Sequence, residues 1–266
     1  MGQQNTKGVE ATEIPAHELS KQLRTLIPLV ACGDIDAQRQ AANTLANLAV
    51  HEQNRITIVQ EGGLLLLIPL TESTDTEVQR LAVHCLANLA VTAENRVAIV
   101  DAGGLPPLIK VSRSPNVEVK RQCAKTLANL AVNAENKVRI QQEAGISALI
   151  DLVKCENVPV QCEAAAALAN LAVNDEYELQ IVKEGALEPI IKLAQCSNVE
   201  GQRQAARALA NLSVNPINKE KLKTLGGVPP LMKCLECEDP KVQRQAFRAL
   251  SNLGVDLSLH PVPPPA

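Results

Sequence analysis

Six near-identical words recur along this chain at a fixed spacing of 41 residues: LANLAV at 45–50, 86–91, 127–132 and 168–173, LANLSV at 209–214 and LSNLGV at 250–255. Each carries an Asn in the same place: Asn47, Asn88, Asn129, Asn170, Asn211 and Asn252. A period of this length marks a stack of supersecondary units that bury their apolar faces on one another and leave a long surface for binding. One elongated domain is expected, not two globules.

One period shows what the unit is. In residues 94–134, Glu94-Asn95-Arg96 opens a short helix with Val97, Ile99 and Val100 as its apolar positions. Gly103-Gly104 stops it, a helix C-cap signal. A second helix runs from Leu105 to about Val111, with Pro106 and Pro107 in its first turn, where backbone N–H groups lack partners anyway. Ser112 to Asn116 reads as a loop, and a third helix is expected from about Val117 to Val132. Counting from the repeated Asn, position −2 is always Leu, position +1 is always Leu, and position −6 is Ala or Cys. At 100° per residue these fall on one side, which is the core. The Asn and positions −4 and −8 fall on the other.

Composition agrees with such a stack. Hydrophobic residues make up 46% of 266, yet there is one Phe, one Tyr and no Trp. The core must therefore be built from Leu, Ile, Val and Ala. No apolar run reaches the ~20 residues that span a bilayer. Residues 1–18 lack the apolar stretch of a secretory signal. Net charge is −3, which gives no case for nucleic acid. Of eight Cys, Cys155, Cys196 and Cys237 share one register, too far apart for disulfides if stacked helices lie ~8–10 Å apart. Cys234 and Cys237 form a lone C-x-x-C, weak evidence for metal or redox chemistry. His17, His51, His84 and His260 are scattered. Neither a triad nor a phosphate loop is legible. The chain reads as non-enzymatic, with no cofactor and no metal.

The LANLAV words, the N-x-x-x-I-V-x-x-G-G segments from Asn54 and Asn95, and the three-helix unit together resemble armadillo repeats over about residues 19–255. The resemblance implies an all-α, right-handed armadillo-repeat solenoid of about six units, here 14–52, 53–93, 94–134, 135–175, 176–216 and 217–255. Residues 1–13 form a polar lead and 256–266 a Pro-rich tail. It also implies that the third helices line a concave groove, where the Asn side chains bind the backbone of an extended peptide. By motif that role falls on Asn47, Asn88, Asn129, Asn170, Asn211 and Asn252. An Asn amide has a donor and an acceptor and can pair with any peptide bond. The alternative is that the six Asn brace neighbouring repeats.

Position −8 reads Arg39, Arg80, Arg121, Cys162, Arg203 and Arg244, and position −4 reads Asn43, His84, Lys125, Ala166, Arg207 and Arg248. The two rows put eight fixed positive charges on the Asn side of a chain whose net charge is negative. A concave surface of one sign steers a partner of the other. The expected partner is a protein with an extended segment bearing Asp, Glu or a phosphorylated residue. Reversing Arg80 and Arg121 together is expected to abolish its binding. The competing use of the row is local, because Asp36, Glu77, Glu118 and Glu200 each stand three residues before an Arg, a spacing that forms ion pairs along a helix. His84 is a candidate for pH sensitivity. The nuclear-import adaptors of this fold place Trp at position −4 to hold basic cargo, and this chain has none. The fourth unit, with Pro159, Cys162 and Ala166, reads as an apolar gap or a drifted repeat.

Met1-Gly2-Gln3-Gln4-Asn5-Thr6 fits M-G-x-x-x-[ST], the N-myristoylation pattern, with Gly2 as acceptor. Armadillo repeats behind such a motif resemble the fungal vacuolar armadillo scaffolds and the apicomplexan armadillo-repeats-only proteins. The implied location is cytoplasmic, at the cytosolic face of a membrane when acylated. The alternative is a soluble recognition or regulatory module without lipid, of the kind found in ubiquitin ligases and small-GTPase regulators.

Overall fold

A computed structural model of the protein describes residues 15–259. Among these, seventeen helices and no strand are found, in the three-helix rhythm expected from the sequence. The first helices of the units are α3 (Glu52–Gln60), α6 (Ala93–Asp101), α9 (Ala134–Gln142), α12 (Asp175–Lys183) and α15 (Pro216–Thr224). The second helices are α1 (Ala16–Ala31), α4 (Gly63–Thr71), α7 (Leu105–Val111), α10 (Gly145–Lys154), α13 (Leu187–Ala194) and α16 (Val228–Leu235). The third and longest are α2 (Ile35–Leu48), α5 (Thr76–Leu89), α8 (Val117–Leu130), α11 (Val158–Leu171), α14 (Val199–Leu212) and α17 (Pro240–Asn252). The polar lead and the end of the Pro-rich tail lie outside the described residues.

Each third helix starts on a side-chain cap at a 41-residue spacing. Asp34, Asp75, Asn116, Asn157, Asn198 and Asp239 each accept a hydrogen bond from a backbone N–H in the first turn. The cap satisfies donors that the helix itself cannot. The core face is as the periodicity requires. Leu45, Leu86, Leu127, Leu168, Leu209 and Leu250 at position −2 are all fully buried, as are Ala41, Ala82, Cys123, Ala164, Ala205 and Ala246 at −6.

Successive third helices pack against each other along their length, whereas successive first helices and successive second helices touch at only a few positions. Unequal spacing of this kind bends a stack, with the closest-packed row on the inside. The third helices therefore line the concave side, and their polar face is the groove wall.

The turn between first and second helices needs a left-handed residue. Gly62, Gly103, Gly185 and Gly226 supply it, with φ between 73° and 87°. In the fourth unit Ala144 occupies this register at φ 61°, the one non-glycine residue with positive φ among those described. A side chain there costs roughly 1–2 kcal/mol, partly offset because Gly makes the unfolded chain more flexible. Ala144→Gly is expected to stabilise the fold by about 0.5–1 kcal/mol, read as a higher urea midpoint. An unchanged or lower midpoint would mean that the turn is relaxed.

Candidate peptide-binding groove

The Asn ladder is half-buried from Asn88 to Asn252, and Asn47 at its start is exposed. Four of the six reach across to the preceding repeat. Asn129, Asn170, Asn211 and Asn252 donate from Nδ2 to the carbonyls of Ala87 (3.3 Å), Ala128 (2.9 Å), Ala169 (2.7 Å) and Ala210 (3.0 Å). Each of these carbonyls belongs to the residue just before the previous Asn. Asn88 instead pairs with His84 Nε2 at 3.3 Å. Bracing is thus one role of the ladder. It does not exhaust the amides, since each Nδ2 has a second hydrogen and each Oδ1 accepts. Asn252 spends both hydrogens, the second on Ser213 Oγ at 3.2 Å.

A second Asn ladder, in the first helices, is wholly structural. Asn95 Nδ2 donates to Leu89 O (3.1 Å) and Arg55 O (3.0 Å), and Asn136 Nδ2 donates to Leu130 O (3.4 Å) and Arg96 O (2.9 Å). Both are buried. They tie the end of a third helix to the next first helix and to the repeat before.

The charged rows divide along the groove. In the first half the Arg are neutralised. Arg39 bonds Asp36 (3.2 Å) and the cap Asp75 (2.6 Å), Arg80 bonds Glu77 (2.6 Å), and Arg121 bonds Glu118 (2.7 Å). The Arg39 guanidinium, with help from the Val78 N–H, holds Asp75 at about 2. Arg121, with help from Gln122, holds Glu118 at about 2. His84 is pushed below its ordinary value chiefly by burial, which favours its neutral form. The middle is uncharged at Cys162 and Ala166, and burial raises the neighbouring Glu163. Eight free positive charges are therefore too many. Arg39, Arg80, Arg121 and Arg203 all carry the local ion pairs that their spacing allows.

The far end differs. Arg203 bonds Glu200 at 2.6 Å, but Arg207, Arg244, Arg248 and Lys241 have no ion pair among the described residues. Arg207 Nη2 donates to Asn170 Oδ1 and Arg248 Nη2 to Asn211 Oδ1. Burial lowers Arg207, and the nearby charges of Arg203 and Arg248 lower it further. Arg203, Gln204, Arg207, Lys241, Arg244 and Gln245 line an open cavity of about 340 Å³ between α14 and α17. Lys125, in the first half, is likewise without an ion pair among the described residues.

Lys241, Gln204 and Gln245 are missed by the reading of rows −4 and −8, yet one signal for Lys241 is legible. The register three residues before the −8 Arg holds Asp36, Glu77, Glu118, Pro159 and Glu200, and then Lys241. The sixth unit puts a cation where four others put the acid that neutralises their Arg. Arg244 is left without its carboxylate for that reason.

The ion pairs give the fold an acid limit. A carboxylate whose folded pKa lies below its unfolded one stabilises the native state above the unfolded value and loses that contribution as pH falls through the folded value. Glu118 goes from an ordinary 4.5 to about 2. The difference in urea midpoint between the protein and Glu118→Gln is expected to be full above pH 4.5 and to vanish by about pH 2. A difference that is flat across this range would mean that the pair does not stabilise the fold.

A family profile described as armadillo-like matches residues 63–222, more than half of the chain, and one described as armadillo/beta-catenin-like repeat matches 215–255. No curated relative matches by sequence. Among solved structures, an engineered protein from a structural genomics consortium is similar at 38% identity and TM-score 0.81, over 88% of this chain and 96% of that one. A designed armadillo repeat protein is similar at 28% identity and TM-score 0.81, over 87% and 99%. Another, in complex with the peptide (KR)4, is similar at 28% identity and TM-score 0.79, over the same shares.

Proposed function

We propose that this chain, which belongs to the armadillo-like family, is a non-enzymatic interaction scaffold that holds an extended acidic peptide along its concave face. The observation that carries this reading is the cluster of Arg207, Arg244 and Arg248, unpaired by any described carboxylate and set beside the Asn170, Asn211 and Asn252 amides. A peptide laid on the third helices meets amides that bond its backbone whatever its sequence, and cations that select for acidic side chains. A designed armadillo repeat protein of similar fold is in complex with (KR)4, a basic peptide. The charge at the C-terminal end of this groove has the opposite preference.

The test is fluorescence anisotropy with two labelled dodecamers, one rich in Glu and one rich in Lys. The acidic one is expected to bind, and to weaken as salt rises from about 0.05 M to about 0.3 M, because salt screens exposed charges beyond about a Debye length. Equal binding of both peptides would overturn the reading.

The motif at Gly2 adds a membrane tether to this proposal. It lies outside the described residues. A single myristoyl chain binds membranes only marginally, so an acylated chain would exchange between cytosol and the cytosolic membrane face. Intact mass of protein from its native cell decides it. A gain of about 210 Da on the Met-less chain is expected for a myristoyl group at this motif. An unmodified or acetylated start would favour the soluble regulatory module, with the groove unchanged.

A further inference from the structure

We infer that the cavity between α14 and α17 is a receptor for one phosphoserine or phosphothreonine of the bound peptide, a single phosphate-reading subsite at the C-terminal end of the groove. This rests on the peptide-groove reading and deepens it. The argument begins with charge. Four cations line the cavity: Arg203, Arg207, Lys241 and Arg244. Two carboxylates flank it. Glu200 is engaged by Arg203 (2.6 Å) and Gln204 Nε2 (2.7 Å), and Asp239 caps α17 by accepting from the Lys241 N–H (2.7 Å). The wall is left with an excess of two positive charges. A phosphate monoester carries about −1.5 to −2 at neutral pH with three acceptor oxygens. An Asp or Glu side chain carries one negative charge and two oxygens, and leaves half of the excess unanswered.

Unmet donors point the same way. The Nε atoms of Arg203 and Arg244 are buried and have no acceptor. Buried N–H groups without partners are rare and ask for a reason. An anion seated between the two guanidinium groups meets their outer nitrogens in the forked geometry that Arg offers to phosphate, and a turn of either side chain brings its Nε into reach. Among the described residues no other −8 Arg is left with a buried, unmet Nε. The first three units answer their −8 Arg with Asp36, Glu77 and Glu118, and the fourth has Cys162 in that register. Only where Lys241 replaces the acid does the excess appear.

A peptide is favoured over a lipid headgroup by position. The cavity lies on the inner row of the stack, and its Arg207 is bonded to Asn170 of the amide ladder. A flat bilayer cannot follow a concave wall, whereas an extended chain can.

The experiment uses the full chain, unacylated. Arginine side-chain N–H resonances are followed during titration with N-acetyl-phosphoserine methylamide and with N-acetyl-aspartate methylamide. Expected are shifts at Arg203 and Arg244, about tenfold tighter binding of the phosphoserine compound through its added charge-assisted bonds, and loss of that preference in Arg244→Gln. Arg244→Lys keeps the charge without the fork, and is expected to lose most of the preference while folding as the parent does. Equal affinity for the two compounds, with the Glu-rich dodecamer still bound, overturns the phosphate subsite and leaves the groove. Failure of the Glu-rich dodecamer as well removes both. Tighter binding to phosphatidylcholine vesicles containing phosphatidylinositol phosphate than to a phosphoserine dodecamer overturns the peptide assignment in favour of a lipid.

Discussion

Changing Arg207 and Arg244 together to Glu should reduce affinity for the Glu-rich dodecamer by at least about 100-fold, since each change removes a charge-assisted bond and sets a like charge against the ligand. Arg80→Glu with Arg121→Glu should cost about tenfold or less, because half-buried charges already paired with a carboxylate offer a ligand little. The contrast matters more than either value. Arg80, Arg121 and Arg244 share position −8, and Arg207 stands at −4 on the same face. They differ in what surrounds them. Arg80 and Arg121 each lie against a carboxylate one turn back in their own helix. Arg244 has Lys241 in that place, and Arg207 has no described carboxylate within reach. Circular dichroism and urea midpoints should show the groove variants folded, although Arg207→Glu removes a donor from Asn170 Oδ1. If the Arg80 and Arg121 pair proves the more damaging, the ligand opens those ion pairs and the whole row binds.

Much of this architecture is written in the chain because a repeat states each rule six times. The second helix of the type unit is found at Leu105–Val111, where Pro106, Pro107 and the polar loop put it. The third ends at Leu130, two residues before the expected Val132, since the Ala131 N–H still reaches Leu127 O but the Val132 N–H turns back to Asn129 O, only three residues away. What the register could not decide was the partner of each polar group. An Asn at a fixed place on a helix face can bond a ligand or a neighbouring carbonyl, and that choice depends on how closely the next helix approaches. The approach turned out to be close enough for Asn129, Asn170, Asn211 and Asn252 to span it. The Arg row could be paired with acids at i−3 by inspection, but the bond from Arg39 to Asp75, 36 residues away, needed the stacking itself. Lys241 was legible all along, as a change of sign in a register otherwise held by acids or Pro159.

The second large effect is on the stack. Leu168→Ala should cost about 3–4 kcal/mol, the usual range for a fully buried Leu in a close-packed core, and should do more than lower a midpoint. Leu168 is fully buried in α11, whose helix packs along α8 on one side and α14 on the other. In a quasi-one-dimensional array, stability is a sum of unit and nearest-neighbour terms. A weakened central unit therefore uncouples the repeats before it from those after it. Urea unfolding followed by circular dichroism should pass from one transition to two, with hydrogen exchange fastest in α11. The same truncation at Leu45, equally buried but in the first unit, has a third helix on one side only. It should fray that end, leave the remaining repeats in one transition, and keep the Arg207 and Arg244 end competent to bind. A single, equally shifted transition in both variants would show that the repeats unfold as one block, and that coupling between neighbours outweighs the cavity wherever it is placed.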